Sequence, residues 1–158
     1  MKALYKGNIK EFQNSLSKLE DLDYVDNDGR SLIFYAIFEG QLNAVELLIR
    51  NHVDLNIKDI NGWTPLHYAV SENYPEIVKL LLENGAEVNV KDAFGNTPIW
   101  RAVFTSKGRG DIIKLLLDKG ADPQIKNNSD VSAYELAKAI ANYDVKQFFS
   151  PDSHSKKN

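Results

Sequence analysis

Apolar residues in the middle of the chain recur at helical spacing and are interrupted at regular intervals by polar runs. Leu66, Ala69 and Val70 fall at i, i+3 and i+4, which places one apolar stripe on a short helix of about two to three turns. Thr64 can accept a hydrogen bond from a free amide of the first turn, and Pro65 suits the first helical position, where its missing N–H costs nothing. Pro75 opens a second helix whose Ile77, Val78, Leu80, Leu81 and Leu82 make it apolar around much of its circumference. That helix is expected to end at Gly85, where a left-handed residue can satisfy the last carbonyls. The polar run 89–95 then predicts an extended loop or β-hairpin finger leading to the next helix.

The whole pattern repeats. Gly62-Trp63-Thr64-Pro65-Leu66-His67-Tyr68-Ala69 returns 33 positions later as Gly95-Asn96-Thr97-Pro98-Ile99-Trp100-Arg101-Ala102. The same step backward gives Gly29-Arg30-Ser31-Leu32-Ile33-Phe34-Tyr35-Ala36. Ala3, Ala36, Ala69 and Ala102 keep this interval and Ala137 follows after 35, so a small residue stands wherever adjacent first helices must approach closely. The motif Thr64-Pro65-Leu66-His67, the later run from Leu80 to Asn89 (LLLENGAEVN) and the 33-residue period together resemble the ankyrin repeat over nearly the whole chain. The resemblance implies an all-α solenoid of stacked helix-turn-helix units with β-hairpin or loop fingers. The expected organisation is one domain over 1–150, with a truncated first repeat at 1–25, full repeats at 26–58, 59–91 and 92–126, a terminal repeat at 127–150 and a flexible tail at 151–158.

Composition adds exclusions. With 158 residues, 43% hydrophobic and 26% charged, the chain fits a folded domain of ordinary make-up. No apolar run approaches the roughly 18 residues of a membrane span, and 1–7 lacks the apolar centre of a signal peptide. The absence of cysteine excludes disulfides and agrees with a cytoplasmic location. A net charge of −3 argues against general nucleic-acid binding, and the basic cluster Lys107, Arg109, Lys114 and Lys119 is interrupted by Asp111 and Asp118. At the first end Ile9 and Phe12 are expected to be buried beneath a polar outer face. At the other, Ser132 to Ala137 fill the helix-start slot of a helix expected to run to about Phe149.

Catalytic signatures are missing. His52, His67 and His154 have no metal-binding spacing, and no nucleophile elbow, phosphate loop or dinucleotide fingerprint occurs. An enzyme would have to draw on His67, Asp59, Asp92 and Arg101. By resemblance to the family, His67 instead braces the loop through its imidazole. The in-register Asp26, Asp59 and Asp92 are expected to be structural, and His52 stands in the left-handed position that Gly85 and Gly120 fill elsewhere. Two additional residues fall within 104–111, between two helices, where Lys107 and Arg109 are either a neutral insertion or partner contacts.

What remains is a surface. In ankyrin-like arrays the fingers and the exposed sides of the first helices form a concave face, and the family pattern puts partner contacts at its variable positions. On this chain those positions include Arg30, Phe38, Ile60, Asn61, Trp63, Glu72, Phe94, Asn96 and Phe104, with Tyr5 extending the column of Phe38 and Phe104. Aromatic side chains dominate binding hot spots. Trp63 and Phe94 are expected to serve binding, whereas Phe38 and Phe104 can equally pack between neighbours. The chain is therefore expected to be a non-enzymatic module, monomeric on its own and without cofactors, that binds another protein, in the manner of a small inhibitor or immunity protein. The alternative is a self-associating scaffold or regulatory subunit.

Overall fold

The computed structural model describes residues 9–140 and 144–149. Ala3, Tyr5, His154 and the 151–158 tail lie outside them. The described helices are α1 (Ile9–Leu16), α2 (Leu32–Phe38), α3 (Leu42–Arg50), α4 (Pro65–Ser71), α5 (Pro75–Glu83), α6 (Pro98–Thr105), α7 (Asp111–Asp118) and α8 (Ala133–Ala139), followed by a 3-10 turn at Val145–Phe149. Among the described residues there is no strand, only an isolated antiparallel bridge between Lys126 and Ser132. The fold is all-α, and its fingers are turns.

The chain forms two compact units, 1–86 and 87–158. In the first, α2 pairs with α3 and α4 with α5, while first helix packs on first helix (α2 on α4) and second on second (α3 on α5). Ala36 and Ala69, both fully buried, stand on the two first helices, as their periodicity predicts. Around them the core is built from Phe34, Ile37, Val45, Leu48, Leu66, Val78 and Leu81. In the second unit α6 packs on α7 and on α8, over Ile99, Val103, Ile113, Leu116 and Val145, with Ala102 and Ala137 on the two first helices.

The ends of the helices follow the sequence signals. Pro65, Pro75 and Pro98 are the first residues of α4, α5 and α6. Gly85 and Gly120 adopt φ of 97° and 85° after α5 and α7, and the amides of Ala86 and Ala121 return to the carbonyls of Leu81 and Leu116. His52 takes the same left-handed conformation, φ 60°, after α3. Two expectations are corrected. Ile9 stays 36% exposed while Phe12 and Leu16 carry the burial of α1. No single helix runs from Ala133 to Phe149: α8 closes at Ala139, and a 3-10 turn supplies Val145 and Phe148 to the core.

Candidate protein-binding surface

Each finger is built on one side chain. The Oδ1 atom of Asp26 accepts hydrogen bonds from the amides of Asp28 and Arg30. Asp59 does the same for Asn61 and Trp63, and Asp92 for Phe94 and Asn96, all at 2.8 to 2.9 Å. Two amides that the turn would leave unpaired are thereby satisfied, which explains why a short acceptor recurs at this position. The left-handed residue that closes the turn is Gly29, Gly62 or Gly95, with φ between 72° and 78°.

The second oxygen of each carboxylate ties the finger to its helix. Asp26 Oδ2 accepts from the Tyr35 hydroxyl, Asp59 Oδ2 from that of Tyr68 at 2.8 Å, and Asp92 Oδ2 from Arg101 Nη2 at 3.0 Å. These three donors are themselves 33 residues apart, a signal present in the sequence. The Tyr35 hydroxyl and the Arg30 amide hold the Asp26 carboxyl below its ordinary range, and the same contact raises Tyr35. Burial, then the bond to Asp59, raises Tyr68.

His67 is fully buried, with Nδ1 3.2 Å from the Thr64 amide and 2.9 Å from its hydroxyl, the reciprocal arrangement of a capping box. The four residues on which an enzyme would have to draw therefore serve the scaffold: His67 caps a helix, Asp59 and Asp92 spend both oxygens on finger braces, and Arg101 pairs with Asp92. Among the described residues, no group of three or more His, Asp or Glu could hold a metal ion.

The expected contact residues divide into two sets. Ile60 and Phe94 stand at finger tips with 67% and 66% of their surface exposed, and Asn61 and Glu72 are exposed beside α4. Phe104 is 60% exposed although its ring stacks on Trp100 at 5.5 Å. Lys107 and Arg109 are exposed on the five-residue connection 106–110, two residues longer than 72–74 between α4 and α5. The other set is turned inward. Arg30 bonds Asp28 at 3.1 Å and the Tyr68 hydroxyl at 3.3 Å, with its guanidinium over the rings of Phe38 and Tyr68. Phe38 meets Tyr68 edge-on at 4.7 Å, so packing is its role here.

Two corrections follow. Trp63 is half-buried, 4.6 Å from the Tyr68 ring and 6.1 Å from His67, and is not a free finger-tip side chain. Asn96 is buried: its Nδ2 reaches Asp92 Oδ2 at 3.4 Å and its Oδ1 accepts from Asn127 Nδ2 at 2.8 Å. Arg30, Trp63 and Asn96 occupy one repeat position, immediately before the helix N-cap, and in all three copies that residue faces the scaffold.

A family model described as ankyrin repeats (3 copies) matches residues 1–92, and one described as ankyrin repeats (many copies) matches residues 72–117. The chain belongs to the ankyrin-repeat family. Ankyrin repeats are protein–protein interaction modules and are generally non-enzymatic, so the helix-capping histidine and the braced fingers of this chain are ankyrin scaffold. Comparison with curated proteins gives no match. None of the described helices is long and apolar enough to cross a membrane.

Proposed function

We propose that this ankyrin-repeat protein binds a protein partner through its finger tips and the adjoining ends of its first helices. Ile60, Asn61 and Glu72 make the contact in the first unit, and Phe94, Phe104, Lys107 and Arg109 in the second. The carrying observation is the exposure of Ile60, Phe94 and Phe104, each at least 60%, on loops and helix ends that are braced from beneath. Apolar side chains held out at finger tips offer surface that a partner can bury, and rigid presentation lowers the entropy lost on binding. Such a surface acts by occupying its partner, and a small inhibitor of the immunity type is the concrete form of that action.

The test compares affinity capture by the wild-type chain with capture by the Ile60→Ser/Phe94→Ser variant, after circular dichroism has shown the two to be equally folded. A partner retained by wild type and lost by the variant supports the reading. Equal retention overturns the assignment of the finger tips, and inhibition of the captured partner's activity decides the inhibitor role.

A further inference from the structure

A cavity of about 390 Å³ lies at the edge of the first unit, beside the start of α2. Leu19, Tyr24, Leu32 and Tyr35 give it apolar and aromatic walls, and Glu20, Asp21 and Asp26 give it carboxylates. Leu19 and Tyr24 are 48% and 75% exposed, so the mouth is open to solvent. Its size sits at the low end of the roughly 300–1,000 Å³ typical of ligand pockets, enough for one long side chain. Apart from Arg30, which also lines it, none of the surface residues assigned above belongs to this cavity.

Three carboxylates and one guanidinium line the cavity. Asp26 has both oxygens engaged by the finger and Tyr35, whereas among the described residues Asp21 uses Oδ1 alone, on the Asp23 amide, and neither Glu20 nor Asp21 makes an ion pair. Arg30 does not cancel them, since its guanidinium lies 3.1 Å from Asp28 and 3.8 Å from Asp59.

A second observation is independent of the carboxylates. Ser31 lines the cavity, is only 1% exposed, and its Oγ has no hydrogen-bond partner. The corresponding hydroxyls are served: His67 meets that of Thr64, and the Trp100 amide donates to that of Thr97. At Ser31 the histidine slot holds Phe34, whose amide donates to the Ser31 carbonyl and not to the hydroxyl, so the hydroxyl is left over beneath an apolar, anionic cavity.

We infer that the cavity receives an arginine side chain of the protein partner, its stem against Leu19 and Leu32 and its guanidinium between the tyrosines and Glu20 and Asp21. A planar guanidinium stacks on aromatic rings and forms paired bonds to carboxylates, which the compact ammonium of lysine does not. The inference rests on the reading of the chain as a protein binder.

The probe is N-acetyl-arginine methylamide, titrated into the isotope-labelled full chain and followed by amide chemical shifts. Lysine, citrulline and norleucine analogues are the controls. Saturable shifts confined to 19–35, at least five-fold weaker binding by the Glu20→Gln/Asp21→Asn variant and loss of the response with citrulline and norleucine are expected. Both substitutions are on exposed residues, and asparagine at 21 keeps the acceptor for the Asp23 amide, so the fold is retained. Ser31→Ala should weaken binding further. Shifts spread over other acidic sites, no shifts, an undiminished response in the double variant, or equal binding of the lysine or citrulline analogue would overturn the proposal. The finger-tip reading fails separately, through equal capture by the Ile60→Ser/Phe94→Ser variant, a result that leaves the arginine titration unaffected.

Discussion

The fingers beginning at Asp92 and at Asn127 perform the same turn with different chemistry. Asp92 bonds two amides through one oxygen and Arg101 through the other. Asn127 likewise accepts from the amides of Ser129 and Val131, both at 3.0 Å. The residue in the place of Arg101, however, is Leu136, which has nothing to donate. Asn127 turns its second polar atom to the neighbouring finger instead, donating to Asn96. Acid and donor thus disappear together: a carboxylate is kept where a hydroxyl or guanidinium meets it, and an amide stands where a neutral acceptor must be served. The turn needs one oxygen, and the second atom is free to choose its partner.

The largest effect is expected of Asp92→Ala. It removes the acceptor of two amides and the carboxylate beside Arg101, whose side chain is only 16% exposed. Loss of one member of a largely buried pair should cost about 3 kcal/mol or more, read as a lower midpoint of urea unfolding. Next comes Trp63→Ser, which removes the ring packed against Tyr68 and should cost about 2 kcal/mol; an unchanged midpoint would return Trp63 to the free surface.

Asn127→Asp restores the residue of the other fingers. With Leu136 opposite and the donor to Asn96 gone, it should destabilise by about 1 kcal/mol, whereas a stabilisation would show that the acid needs no partner. The smallest effect is that of pH. Asp26 is held low by Tyr35 and the Arg30 amide, and Glu135 by the amide and hydroxyl of Ser132. A depressed carboxyl contributes stability that is complete above its unfolded pKa and is lost as pH falls through the folded one, so the thermal midpoint should drop from about pH 4 downward. Replacing Tyr35 by Phe should flatten that slope.

Much of the fold was legible because its signals are local. The prolines that open α4, α5 and α6, the glycines after α5 and α7, and the alanine register each reflect a backbone or steric demand met within a few residues. The recurrent aspartates were legible as structural from their register alone. The site was only half legible. Phe94 and Trp63 are both finger aromatics, and nothing local says that one projects while the other folds back onto Tyr68. The periodicity does contain the answer: Arg30, Trp63 and Asn96 share the position before the N-cap, whose amide is bound to the aspartate Oδ1 in every copy, and in each the side chain turns back onto a finger or a first helix instead of projecting. Ile9 failed for a related reason, since an apolar residue at the start of a helix can lie beside the buried stripe without joining it.

The aspartate brace also bears on how such a surface changes over time. The turn is held mainly by the side chain of its first residue and by backbone amides, so the identities of Ile60 at one tip and of Ala93 and Phe94 at another are not what closes it. Substitutions at the tips are therefore visible to selection chiefly through what they touch. A lineage can exchange those side chains to follow a changing partner while the repeat beneath them drifts hardly at all.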